Sequence, residues 1–199
     1  MELSEVVCKR RMVRHFTSEP VEPEVIQRML ALARHAPSAG FTQGQAFIVV
    51  TRAHLKQEIA RLCGEEEYVA GGFHPFISGA PVLFIACTSE AAYHRRYQEP
   101  DKIKEDGTEI IWPVPYWHMD IGCAVMLLLL AAVDEGLAAG FAGVTTLENM
   151  GKLRELLGIP AEVTPVGVIP IGHRAQDTRS PSLKRGRKAD EDYVHYEGW

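Results

Sequence analysis

The sequence predicts an α+β or α/β domain built on a small sheet. Three observations carry this. Short apolar runs that read as buried strands alternate with stretches of helical period. Only four or five such runs occur. The longest uncharged run, "IGCAVMLLLLAAV" at 121–133, is too long for an ordinary strand and too short for a membrane span of about 20 residues. The chain has 199 residues, of which 46% are hydrophobic and 24% charged, the composition of a globular protein. No repeat, low-complexity segment or Gly/Ser linker divides it, so residues 1–199 are expected to form a single domain. A domain of this size buries roughly 70% of its unfolded surface and needs no staple.

Taken in order, "PEVIQRMLALARHAP" is an amphipathic helix. Ile26, Met29, Leu30 and Ala33 share one face, Pro23 suits the first turn and Pro37 stops the helix. "QAFIVVT" reads as a buried strand. "AHLKQEIARLCG" is a second helix, with Leu55, Ile59 and Leu62 on one side and Gly64 after its end; the following "GEEEYV" reads as a solvated helix end. "APVLFIACT" is another buried strand. Residues 88–118 are polar and irregular, a loop-rich excursion. A helix from about Tyr116 to Glu135 follows and is expected to be buried on all sides, inside the domain or between subunits. His118 and Asp120 at its start read as a polar pair or cap. "GLAAGFAGV" is a Gly-rich strand or turn. "TTLENMGKLRELLGIP" opens with a capping box, Thr145 with Glu148, and closes on Gly158 and Pro160. "VTPVGVIPIG" is the last strand, and 174–199 is a polar extension ending in aromatics.

Several chemistries are excluded. The formal net charge of −5 argues against a nucleic-acid partner. The four cysteines lie far apart with no CxxC and read as buried thiols in a reducing cytoplasm, Cys8 and Cys123 as core packing. The first residues carry charge and no apolar core, so no signal peptide is expected, and no membrane association. There is no GxGxxG, Walker A or GxSxG pattern, and no histidine pair at helical i, i+4 spacing that would suggest a metal.

Two basic clusters remain: Lys9, Arg10, Arg11 and Arg14, and Lys184, Arg185, Arg187 and Lys188. Either could be a solvated face. The first is rich in arginine, whose planar fork matches phosphate, and is flanked by apolar Val6, Val7, Val13 and Phe16. Buried arginines need an anion, because unpaired buried charge is costly. Charge-assisted hydrogen bonds contribute about 1.5–3 kcal/mol each. The cluster therefore points to a small phosphorylated ligand.

The frame "RRMVRHF", then "VIQRMLALARHAPSAGFTQGQAFIVV", then a buried helix ending in "EGL", "AAGFAG", "LRELLGIP", "PVGVIPIG" and a basic segment before "VHYEGW" resembles the nitroreductase family of FMN-dependent oxidoreductases along nearly the whole chain. The resemblance implies an α/β sandwich in which helices flank a small mixed, mostly antiparallel sheet. It implies a homodimer with FMN at the interface and NAD(P)H as co-substrate. It places Arg10, Arg11, Met12 and Arg14 at the FMN phosphate, ribityl chain and pyrimidine edge, and Arg185 and Arg187 at the phosphate from the C-terminal side. It brings Pro37, Ser38, Ala39 and Gln43 to the flavin from the partner subunit, and lays Phe141 and Gly143 against the ring, with a backbone N–H near N5. It requires no side-chain acid or base.

Met12 stands where the family has serine and removes a hydroxyl donor to the phosphate. Phe41 stands where it has asparagine, and "QGQ" where it has "QPW", which changes the wall above the flavin. The 88–118 excursion reads either as surface packing or as a lid whose Trp112, Tyr116 and Trp117 stack on flat substrates, with Arg95 or Arg96 attracting anionic ones. The expected function is hydride transfer in ping-pong fashion from NAD(P)H through flavin to a quinone or nitroaromatic-like acceptor. The alternatives are a flavin-dependent oxidase of a specific small molecule and a non-enzymatic binder of flavin or another phosphorylated ligand.

Overall fold

A computed structural model describes residues 1–176 and 180–199. Four strands, β1 (Gln45–Val50), β2 (Val82–Thr88), β3 (Ala138–Ala139) and β4 (Thr164–Gly172), form one sheet in the order β1-β2-β4-β3. All three ladders are antiparallel. β2 is central and buried at every position. Side chains of a strand alternate between faces, so Leu83, Ile85 and Cys87 enter one core while Val82, Phe84 and Ala86 enter another.

Each core has its own helices. α2 (Pro23–Ala33) and α6 (Tyr116–Asp134) pack on the face of Phe84, through Ile26, Met29, Ile121, Ala124 and Leu128. α3 (Ala53–Leu62) and α7 (Leu147–Leu157) pack on the face of Ile85, through Leu55, Ile59, Leu62 and Leu153. The result is the helix–sheet–helix sandwich expected of this α+β chain. α1 (Leu3–Lys9), α4 (Glu65–Ala70) and α5 (Glu90–Tyr97) lie outside this frame. The segment after α1 extends the sheet edge. Met12 bridges Ala139 in parallel, Phe16 bridges Arg174 antiparallel, and Val13 N–H donates to Ala139 O at 2.9 Å.

Within this one chain α6 leaves one side open: Met119, Gly122, Cys123 and Met126 form an exposed stripe, with Met126 46% exposed. By length and composition α6 could cross a membrane, yet half of its apolar window is buried inside this domain. It packs as a core helix along one side. Other expectations need correction. Cys8 and Cys123 are exposed rather than core residues, and only Cys87 is fully buried. The excursion contains α5, capped by Ser89, whose Oγ accepts the Ala92 N–H at 3.3 Å. Its polar content, His94-Arg95-Arg96, concealed the helical period. Thr146, not Thr145, caps α7, accepting the Asn149 N–H at 3.1 Å.

Candidate functional site

α1 ends at Arg10 because Met12 and Val13 are drawn into pairing with β3. Val13 and Phe16 anchor this segment in the core. Arg10 is half-buried, and its Nη1 is enclosed without a hydrogen-bond partner. Burying a guanidinium N–H without an acceptor carries the full desolvation cost. An anion beside Arg10 would remove it. Arg11 is exposed and folds back, its Nη1 donating to Cys8 O (2.5 Å) and Arg10 O (3.0 Å). Met12 is partly exposed and Arg14 half-buried. Arg185 and Arg187 are exposed, and their side chains make no hydrogen bond or ion pair among the described residues. Residues 177–179 of the expected 174–199 extension lie outside the described residues.

The Pro37–Gln43 loop is knit by its own polar groups. Ser38 Oγ accepts the Gln43 N–H at 2.9 Å, Thr42 Oγ1 donates to Ala39 O at 2.6 Å, and Gln45 Nε2 donates to Pro37 O at 3.0 Å. Gly40, Phe41 and Gln43 all have positive φ, which is unusual for the latter two. The turn aims Phe41 outward, 75% exposed. A group not anticipated from the sequence holds the loop from below: buried Asp120 accepts the Ala39 N–H at 2.9 Å and the Tyr93 hydroxyl at 2.7 Å. It is neither a cap nor paired with His118. Burial, with the Asp120 carboxylate adding to it, pushes the Tyr93 hydroxyl well above the usual tyrosine range, so it stays a donor.

The 88–118 excursion closes on this loop. Arg96 Nε donates to Gly40 O at 3.0 Å while its Nη atoms grip Asp101 in a bidentate pair. Arg96 is thereby spent on structure. Trp117 is buried at 8% exposure, and its ring neighbours are Tyr93, His94, Trp112 and His118. Trp112 lies against Tyr97 and Tyr116 and donates Nε1–H to Glu109. These rings pack on one another.

An open concavity lies elsewhere. After β3, Gly140 fits where a Cβ would sit 2.6 Å from Val13 O, so only glycine is accommodated there. The Phe141 ring occupies the space a side chain at Gly167 would need, and Ala142 and Val168 exchange two 2.8 Å backbone bonds. Gly143 follows, exposed and open on its side-chain side. It borders a cleft of about 440 Å³ whose walls include Glu65, Glu67, Tyr68, Phe73 and Phe76. Sequence reading had placed Glu65–Glu67 on a solvated end. Glu65 is in fact buried, accepting N–H bonds from Ile77 (2.5 Å) and Ser78 (3.2 Å) and the Ser78 hydroxyl.

The chain belongs to the nitroreductase family, whose model, described as "Nitroreductase family", matches residues 7–173. It is 29% identical over its whole length to a protein of Methanothermobacter thermautotrophicus named "Putative NADH dehydrogenase/NAD(P)H nitroreductase", covering 88% of that protein. It is 30% identical over 89% of its length to an iodotyrosine deiodinase of Nematostella vectensis, covering 69% of it. Its fold superposes on the hypothetical oxidoreductase YcnD of Bacillus subtilis with a TM-score of 0.78 at 25% identity, over all of this chain and 75% of that one. The chain is thus an oxidoreductase.

Proposed function

We propose that the chain binds FMN and transfers reducing equivalents from NAD(P)H to a flat acceptor of quinone or nitroaromatic type, in ping-pong order. The observation that carries this is the enclosed, unpartnered Nη1 of Arg10 in the family's phosphate position. Bound FMN supplies the electron-carrying ring, and the protein supplies position and field. Arg10 and Arg14 contribute positive charge for the phosphate and for the ring's electron-rich edge. Pro37, Ser38, Ala39 and Gln43 form a pre-shaped wall. Gly143 leaves a backbone edge uncovered, and Phe141 fixes the chain beside it. Arg185 and Arg187 are the second half of the proposed phosphate clamp. The four thiols are free cysteines, in keeping with the cytoplasm as the proposed compartment.

The test is the visible spectrum of the purified protein under nitrogen, before and after NADPH. Yellow protein whose flavin band bleaches supports the reading. A protein that stays colourless with added FMN sinks it. The deiodinase relative favours a second reading, in which the same flavin reduces a carbon–halogen bond of an aromatic ring. Release of iodide from 3-iodotyrosine under reducing conditions would select it.

We also propose a homodimer formed through α6. Its exposed Met119, Gly122, Cys123 and Met126 are an apolar stripe on an otherwise core helix, the kind of patch that marks an interface. Met126→Glu is expected to halve the mass seen by light scattering and to speed alkylation of Cys123, which the interface then no longer shields. An unchanged dimer mass would remove α6 from the interface.

A further inference from the structure

The turn at Gly40 and Phe41 is held in a conformation that phenylalanine does not favour. Phe41 has a φ of 54°, in the left-handed region that bulky side chains avoid and asparagine tolerates. Such a conformation persists only where its surroundings fix it.

α5 supplies those surroundings. Tyr93, Arg96 and Tyr97 stand at i, i+3 and i+4 and share one face of the helix. A Cβ on Gly40 would lie 2.8 Å from Tyr97 Cε2, and one on Gly44 would lie 2.6 Å from Tyr93 Cε2. Both glycines therefore let the loop rest directly on the two rings. The peptide that joins Gly40 to Phe41 is planar, so holding its two ends fixes φ at Phe41. One end is the Phe41 N–H, which donates to Ser38 O at 2.9 Å. The other is the Gly40 carbonyl, which accepts Arg96 Nε–H at 3.0 Å. Arg96 is itself held by the excursion. Its Nη atoms donate to the two oxygens of Asp101 at 2.6 and 2.7 Å, and Nη1 also to Glu99 at 3.0 Å. The hydrogen bonds from Arg96 hold the Asp101 carboxyl down to about 2, so this pair parts only in strong acid.

We propose that Arg96 is a positioning residue that keeps the Gly40–Phe41 peptide from turning over and so aims the Phe41 ring. A half-turn of this peptide carries Phe41 into the extended region and Gly40 into one open to glycine. It relieves the strain at Phe41 and breaks the bond to Ser38 O, two effects of similar size. The bond from the charged Arg96 guanidinium is stronger than a neutral one, and it decides the balance. The consequence for the reaction rests on the functional reading above, in which this loop is the wall beside the flavin. The orientation of the peptide then sets what that wall presents.

The test follows amide hydrogen exchange in 15N-labelled protein. Position 41 is the reporter, because its N–H leaves Ser38 O when the peptide turns. Phe84, paired on both sides in the central strand, reports the fold. Arg96→Ala is expected to speed exchange at position 41 about tenfold and to leave Phe84 unchanged. In the Phe41→Asn protein the left-handed turn is less strained, and the same Arg96→Ala change should speed exchange at position 41 less than about threefold. Where Arg96→Ala does not fold, as Phe84 would show, Arg96→Lys serves in both backgrounds, since lysine lacks the fork that bonds Gly40 O and Asp101 together. Equal acceleration in the two backgrounds would make Arg96 a mere anchor of the loop, and no acceleration in either would mean that it holds nothing. Each result overturns the proposal. On FMN-reconstituted protein, Arg96→Ala should also shift the visible circular dichroism of the flavin. Rapid exchange at position 41 beside an unshifted flavin overturns the positioning role. A wild-type protein that takes up no FMN overturns the functional reading instead, and exchange at position 41 alone then decides what Arg96 does.

Discussion

Arg10→Ala is expected to give a folded protein that loses FMN on gel filtration. The enclosed Nη1 of Arg10 has no partner among the described residues, which leaves its bonding capacity open to a ligand. A charge-assisted bond of about 1.5–3 kcal/mol corresponds to roughly 10- to 150-fold in affinity. The same change should act oppositely on the flavin-free protein. Removing an unsatisfied buried group relieves a desolvation cost of about 1–3 kcal/mol. Flavin-free Arg10→Ala should therefore melt no lower than flavin-free wild type, while only wild type gains melting temperature when FMN is added. Arg11→Ala should do far less, because the Arg11 guanidinium is exposed and already bonded to Cys8 O and Arg10 O. Arg10→Lys should not rescue, since a lysine offers a point charge in place of a planar fork. Absorbance at the flavin band relative to protein, with thermal melts in both states, reads all of this. Full flavin retention by Arg10→Ala would remove this residue from the phosphate site.

How much of this was legible in the sequence depends on the range of the interaction. Local periodicity was enough for α2, α3, α6 and the three longer strands, because burial on one face imprints a period on the residues themselves. The same logic failed for α5, whose face is built from Tyr93 and Tyr97 among charged residues. It packs by ring contact and by Arg96 reaching Gly40 O. The enclosure of Arg10 was legible because the apolar flanks Val6, Val13 and Phe16 draw that segment into the core. The cleft was not. Its aromatic wall comes from α4 and the following turn, and its other edge from Ala142 and Gly143. Glu65 looked solvated because its partners, Ile77 and Ser78, lie across a turn that no periodicity announces. Cys123 looked buried because its neighbours are apolar, but an apolar stripe can as well be an exposed face of a helix. The excursion's wealth of aromatic residues was plain in the sequence. What the sequence left open was whether Trp112 and Trp117 would face a ligand or each other.

Asp120→Ala is expected to cause the largest loss of stability among single changes near the site, and to release the flavin as a consequence. Asp120 is buried and satisfies two donors at once, the Ala39 N–H and the Tyr93 hydroxyl, from segments 81 and 27 residues away. Alanine would strand both. At about 1–3 kcal/mol for each unsatisfied donor, the cost is roughly 2–6 kcal/mol. In a domain of this size that lowers the melting temperature by about 4–24 °C. Tyr93→Phe removes only the hydroxyl and leaves the Ala39 bond intact, so it should cost about 1 kcal/mol. Both donors reach the same oxygen, Oδ2, so Asp120→Asn can place its amide oxygen there, keep both bonds without the charge, and should cost the least of the three. A double-mutant cycle between Asp120→Ala and Tyr93→Phe isolates the shared bond. The functional arm is proteolysis and flavin content. The Pro37–Gln43 loop carries two non-glycine residues at positive φ, a conformation that persists only where its surroundings over-determine it. Without Asp120 the loop should relax, cleavage should appear between 37 and 43, and FMN should leave more readily even though no flavin-contacting residue has changed. Asp120→Ala that unfolds earlier yet keeps its loop protected would show that the carboxylate serves the core alone. Loop cleavage with flavin loss at temperatures below the melt would show that it positions the wall.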